Sequence, residues 1–291
     1  MTDMTRADEP GPPRPLPRFL QPIATALAAS VRHFAQVLLF TYWTIVLLPK
    51  TLRHYRRQTV KTMNDMAWGS GSLVADGGVI SLMFFLGVAV GAMVAIEAFM
   101  AFNVLGFGAL AAIIESFANI RMIAPIITGI GFAAQAGCRM TAEIGAMRVS
   151  EEIDATESIG LRAIPFVVGT RLIGGMLVVI PGYLMALVVS FLVGALIVKY
   201  AYHQPIGTYD HYFAQFMSLP DIVASVLKAV VFCAVVTMIH CYYGYFARGG
   251  PEGVGIASGH AIRASLVAVV VLNFVMTLVI WGLSPTMPFR G

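Results

Sequence analysis

From Gly77 to Asn103 the chain carries a single ionisable side chain, Glu97, in an otherwise apolar run. Few features constrain a fold more tightly. About 20 apolar residues suffice to cross the hydrocarbon core of a bilayer, and within lipid only a helix or a closed barrel can satisfy its own backbone. The pattern recurs along the chain. Met122 to Cys138 is apolar and continues helically toward Glu143, and Ala163 to Val198 is interrupted by Arg171 near its start and by Pro181-Gly182 at its middle. Asp221–Phe246 and His260–Ser284 follow, separated by the Gly-rich "ARGGPEGVGIAS", which reads as a turn. Five spans are predicted. Hydrophobic residues make up 58% of the chain and charged residues 12%. A soluble domain carries about 25% charged residues, so composition agrees with an all-α membrane protein.

His33 to Pro49 is barely long enough to cross and has basic residues at both ends, Arg32 before it and Lys50, Arg53, Arg56, Arg57 and Lys61 after it. Cationic flanks on both sides favour an interfacial elbow helix that keeps both ends on the cytoplasmic face. Upstream, "MTDMTRADEPGPPRPLPRFLQP" is rich in Pro and charge and lacks an apolar core before a cleavage site, so it reads as a disordered tail and not as a signal peptide. The expected organisation is a cytoplasmic tail over 1–29, an elbow and basic connector over 30–76, a five-span domain over 77–284, and an extracytoplasmic tail over 285–291.

The cations orient the spans. With the N-terminus inside, fifteen of the 19 Lys and Arg fall on the cytoplasmic side, leaving Arg121, Lys199, Lys228 and Arg290 on the other. That distribution, and not nucleic-acid binding, accounts for the net charge of +4. No phosphate-cradling GxxxxGK[ST] loop occurs, nor HExxH, GxSxG or paired CxxC. Cys138, Cys233 and Cys241 match no metal or redox spacing and read as buried thiols. His203 and His211 share one extracytoplasmic loop and read as solvated.

Small residues recur at four-residue intervals, Gly87 and Gly91 with Ala95, then Gly129, Ala133 and Gly137. Such faces let helices approach closely, within the bundle or at a subunit interface. Glu97 reads as the one carboxylate deep in a span, either near the outer end, paired or reaching the headgroup zone, or on a substrate route. Arg171 reads as a snorkelling or interior partner.

Five of the fifteen acidic residues, Glu143, Glu151, Glu152, Asp154 and Glu157, lie within one short internal stretch. Ser150 is a suitable N-cap, Glu151 and Glu152 suit the positive end of a helix dipole, and Gly160 can take the left-handed conformation that ends a helix. A short cytoplasmic helix is therefore predicted from Glu151 to Ile159. Val149, Ile153 and Thr156 would share one face, and Glu151, Asp154 and Ser158 another. On these grounds alone it is equally a solvated loop helix or a docking element.

The run "AAQAGCRMTAEIGAMRVSEEIDATESIG" closely resembles the signature of the YrbE/MlaE permeases, membrane subunits of Mce/Mla-type ABC lipid transporters. Ala142, Glu143, Ile144, Gly145, Met147, Arg148, Val149, Ser150, Glu151, Glu152, Ile153, Asp154, Ala155 and Glu157 match its form, and "GPEGVG" before the last span is a second match. "HCYYGY" and "GTYDHYF" resemble the second, B-type permease of actinobacterial Mce systems. The chain departs from the pattern at Met122 and Ala124 in "RMIAP", where the family often shows Glu and Gly. It departs again at Gln135, with an arginine at Arg139 instead, and at Asn273 in place of Asp.

What the resemblance implies is a multi-pass plasma-membrane permease, N-terminus inside and C-terminus outside, with no catalytic residue, metal or cofactor of its own. It would pair with a homologous A-type permease, sit on two copies of a cytoplasmic ATPase that binds ATP and Mg, and meet MCE-domain proteins forming a lipid tunnel. Lipid would move between a membrane cavity and that tunnel, in the direction of uptake. Glu143, Arg148, Glu151, Glu152, Asp154 and Glu157 become the candidate ATPase-coupling residues. Gly87, Gly91, Val94, Glu97 and Ala98 become candidates for a lipid cavity or for contact with the partner permease. Two alternatives remain: a secondary carrier or channel, which would show ion dependence without a nucleotidase, and a membrane scaffold, which would assemble partners without holding lipid.

Overall fold

The computed structural model describes residues 21–69 and 77–282, the side chains of residues 21–34, 109 and 206 excepted. The predicted C-terminal tail and most of the predicted N-terminal tail lie outside those residues. Two compact units divide the chain, residues 1–42 and 43–291. In the first, the described residues are helical from Gln21, so residues 21–29 are helix where a disordered tail is expected. Helix α1 (Gln21–His54) extends well beyond the predicted His33–Pro49 at both ends and runs through Pro49. It stops where Tyr55 leaves helical geometry (φ −115°, ψ 26°), and α2 (Arg56–Trp68) follows.

The second unit holds the long apolar helices α3 (Val79–Asn103), α4 (Ala111–Val149), α6 (Ile164–Tyr200), α8 (Leu219–Tyr245) and α9 (Gly250–Trp281). Between them lie the short α5 (Glu152–Ser158) and α7 (Ile206–Phe216). Among the described residues there is no strand beyond one isolated bridge, Gly69 to Gly77. Among the described residues six helices are long and apolar enough to cross a membrane, the five just named and Ala35–His54 of α1. The last is the shortest, at 20 residues with a hydropathy of 1.3 against 2.4 or more for α3, α6, α8 and α9.

Two of the predicted spans differ in extent from the observed helices. α4 is 39 residues long, about 58 Å at 1.5 Å per residue, and begins eleven residues before Met122. Glu115, Ser116, Asn119 and Arg121 look like loop residues in sequence, yet the first three are buried against neighbouring helices. Two π-helical stretches, Glu115–Ile123 and Ala133–Gly137, interrupt α4, and the first carries the buried Glu115, Ser116 and Asn119. Likewise "GPEGVG" is not a turn. The chain reverses at Gly249 (φ +93°), and α9 starts at Gly250 with Pro251 and Glu252 in its first turn, where a missing N–H and a negative charge are both favourable.

Helices α3 and α6 form the most extensive contact in the bundle. A Cβ on Gly87 would lie 2.6 Å from the Ala186 carbonyl oxygen, and one on Gly91 would overlap the Ser190 backbone. Val94, Ala95 and Ala98 continue this buried stripe. The small-residue spacing therefore serves backbone contact inside the chain. Gly129 meets Val269 and Phe232 in the same way, and Gly137 meets the His240 ring. Replacing Gly91 with alanine is expected to destabilise the bundle by roughly 1–3 kcal/mol, the ordinary cost of overpacking. A thermal melt of the detergent-solubilised variant, lowered relative to wild type, checks this.

Candidate functional site

At one end of the bundle α5 bridges α4 and α6. The predicted helix Glu151–Ile159 with a Ser150 N-cap is corrected by the structure. α4 keeps its ladder through Val149, and both the Ser150 N–H and its hydroxyl are spent on the Ala146 carbonyl (2.9 and 3.0 Å). Ser150 therefore ends α4, and Glu151 makes the reversal in a left-handed conformation (φ 59°) before α5 starts at Glu152. Gly160 adopts φ +82° after the helix, where a left-handed residue is expected.

Of the predicted apolar face, Ile153 is fully buried and anchors α5, while Thr156 is half-buried and Val149 is exposed. Glu151, Glu152, Asp154 and Glu157 are all exposed. Asp154 forms an ion pair with Arg148 at 2.7 Å, and Tyr245 on α8 donates to Glu157 Oε1 at 3.4 Å. The acidic helix is thus pinned to α4 and α8 while keeping its carboxylates in reach of a partner. Beside it a groove of about 420 Å³ runs between Trp43 and Leu47 of α1 and the Glu157–Pro165 turn.

Glu143 does not join this group. It accepts from Arg139 Nε (2.8 Å) and from Arg171 Nη2 (3.1 Å) in a polar cleft of about 140 Å³ that Lys61 and Asp65 of α2 also line. Arg171 further donates to the Val167 carbonyl at 2.9 Å, which fits an interior partner. This cluster ties α4 to α6. Gln135 performs a similar task, donating to the Gly77 carbonyl at 2.7 Å at the start of α3.

The first-span candidates divide. Gly87, Gly91, Val94 and Ala98 are buried within the bundle; the α3 backbone approaches that of α6 at Gly87 and Gly91, and Gly87 lines only a gap of about 10 Å³. Glu97 alone among them is exposed, on the outer surface of α3. An apolar cleft of about 450 Å³ does open at the other end of α3, lined by Trp68, Ile80, Phe84, Phe85 and Met185.

Sequence reasoning missed the polar groups at the end opposite α5. Arg121 and Asp221 pair at 2.9 Å with side chains 12% and 13% exposed, and Trp281 Nε1 donates to the other Asp221 oxygen at 2.6 Å. Lys228, counted in sequence as a flanking cation, is wholly buried and donates to the Arg121 carbonyl (2.7 Å) and to Thr277 (2.9 Å). Together they fasten α4, α8 and α9. A Trp near a span end and an Asp in the first turn of α8 were the available signals. Among the described residues no group of His, Cys, Asp or Glu is arranged to hold a metal.

A bundle of long apolar helices carrying polar clusters at its ends, with a short acidic bridge, is the architecture of a multi-pass membrane permease. The sequence profile of the family Permease MlaE matches residues 73–279, and the chain belongs to that family. It is 27% identical over 187 residues to a probable ABC transporter permease protein of Rickettsia bellii, covering 64% of this chain and 72% of that protein. It is 31% identical over 159 residues to a probable ABC transporter permease protein of Synechocystis sp., covering 54% and 60%. It is also 31% identical over 157 residues to the chloroplastic protein trigalactosyldiacylglycerol 1 of Arabidopsis thaliana, covering 54% and 45%.

Replacing Asp221 with asparagine leaves Arg121 half-paired in a largely buried place. The expected loss is about 2 kcal/mol, between the values typical of exposed and of fully buried pairs. It is read as a lowered melting temperature. Arg148→Gln, which breaks an exposed pair, is expected to change stability by less than ~1 kcal/mol.

Proposed function

We propose that this chain is the membrane permease of an ATP-driven lipid transporter of the Mce type. α5 is its coupling helix, the contact through which a separate cytoplasmic ATPase moves the spans. One observation carries the reading: a short acidic helix, anchored by the buried Ile153, joins two helices that are both longer than a bilayer is thick. At 39 and 37 residues, α4 and α6 run about 58 and 55 Å, against a hydrocarbon core of about 30 Å. A push on α5 is therefore delivered along both helices into the membrane.

Two ATPase copies, a homologous permease partner and MCE-domain proteins complete the assembly in this reading, and lipid is taken up through it. The apolar cleft at Phe84 and Phe85 is the lipid-facing surface that the structure offers, in place of the buried Gly87/Gly91 stripe. The bias of cations toward the α5 end supports a cytoplasmic location for it, with α1 as an interfacial elbow and the other five apolar helices as spans. Cysteines introduced at Thr156 and Thr208 are then expected to label from opposite faces of the membrane. Labelling from one face contradicts the five-span topology.

Glu151→Lys combined with Asp154→Lys tests the coupling role. Both side chains are exposed, so the spans are expected to stay folded, the Arg148 pair contributing at most about 1 kcal/mol. Truncating one side of a desolvated charge pair at an interface costs roughly 2–5 kcal/mol, so the ATPase is expected to be lost on co-purification and lipid transport with it. A double variant that keeps its melting temperature, its ATPase and its transport returns α5 to the status of a solvated bridge.

A further inference from the structure

Two side chains, one from each of two helices, converge on one carboxyl oxygen at the end of the bundle opposite α5. Asn119 Nδ2 donates to Glu115 Oε1 (3.1 Å) and to Ser190 Oγ (2.7 Å), and Ser190 Oγ donates to the same Oε1 (3.2 Å). Glu115 and Asn119 belong to α4 and Ser190 to α6, and their exposures are 1%, 0% and 1%. Glu115 Oε2, Asn119 Oδ1 and the Tyr209 hydroxyl have no hydrogen-bond partner among the described residues. Nor does any ion pair reach Glu115 among them. The α4 backbone takes its π-helical form from Glu115 onward, and the α6 backbone closes in from the other side, where a Cβ on Gly194 would stand 3.1 Å from the Glu115 carboxyl carbon.

A buried carboxylate without a counter-ion carries a desolvation cost that two neutral donors do not offset. A neutral acid has no such cost, and here it keeps all three hydrogen bonds, because every donor ends on Oε1 or on Ser190. Oε2 is the oxygen left over. We infer that Glu115 is a proton-binding site: it carries its proton on Oε2, and in that form joins α4 to α6 beneath α7. A metal cation fits less well, since Asn119 turns its amide nitrogen toward the carboxyl and keeps its oxygen out of the shared contact.

The cover over the site is α7. Tyr209, 2% exposed, lies at the edge of the cluster, and its ring stacks on Phe213, which meets Phe191 of α6 edge-on at 5.0 Å. Burial holds the Tyr209 phenol above its ordinary range. Three buried or nearly buried charged groups of this end are engaged elsewhere. Arg121 and Asp221 bind each other, and Lys228 is turned to the Arg121 carbonyl and Thr277. Proton exchange at Glu115 therefore requires α7 to lift.

The test is infrared spectroscopy of the full chain in lipid nanodiscs at neutral pH, and it needs neither transport nor an ATPase. A carbonyl band of a protonated carboxylic acid is expected in wild type and lost in Glu115→Gln. Ser190→Ala removes one of the two donors to Oε1 and is expected to shift that band without abolishing it, so the site can be read even if Glu115→Gln fails to accumulate. In heavy water the band is expected to shift slowly in wild type and several-fold faster in Tyr209→Ala, which uncovers the cluster. A wild-type spectrum with no protonated-acid band overturns the proposal. So does a Glu115 signal found only as ionised carboxylate that moves with added sodium, which would make this a cation site. An exchange rate that Tyr209→Ala leaves unchanged overturns the role of α7 as the cover.

Discussion

The contact between α3 and α6 is the constraint around which the rest of the bundle is arranged. Lipid offers helices no hydrophobic reason to associate, so close packing has to supply the attraction. Gly87 and Gly91 supply it by removing the side chains that would hold the backbones of Ala186 and Ser190 away. With α6 held so close, Ser190 comes within reach of Asn119 and Glu115 on α4, and the third helix is brought in by hydrogen bonds. The same approach makes Val94 and Ala98 interior residues, and any lipid must then be met elsewhere on the surface.

Charge is distributed according to what each end of the molecule has to do. At the α5 end the ion pairs Arg139–Glu143 and Arg148–Asp154 are exposed and individually weak. Such pairs can be exchanged for contacts with another protein at little cost. At the opposite end Arg121, Asp221 and Lys228 are buried or nearly so and bind one another, Trp281, Thr277 and backbone. Groups of that kind hold a geometry and are not readily exchanged. One end is built to be handled and the other to be kept closed, which suits a permease driven from a single side.

Individual residues show what was legible and what was not. The acidic bridge, its place between two spans and the left-handed Gly160 follow from local pattern, since a helix must end where its backbone donors and acceptors run out. The Ser150 cap failed because two helices competed for one residue. A helix arriving with its ladder intact took the serine, and Glu151 absorbed the strain. α7 was read as loop, because eleven residues with mixed polarity declare themselves only when Tyr209 and Phe216 find a surface to bury against.

By itself the sequence determined that this chain is an all-helical membrane protein, roughly where its apolar segments lie, that one short acidic helix lies between two of them, and the family signature it carries. Hydropathy, charge bias and motif spacing are one-dimensional quantities, and lipid reads them directly. Only the tertiary structure decided which polar groups are inside. Glu97 looked like the carboxylate set within a span because its neighbours in the chain are apolar, and its side chain is exposed. Glu115 fell outside the predicted spans, yet it is sealed between α4, α6 and α7. Burial depends on which helix face meets another helix, and that is set by contacts between residues as distant as Glu115 and Ser190, which no local pattern encodes.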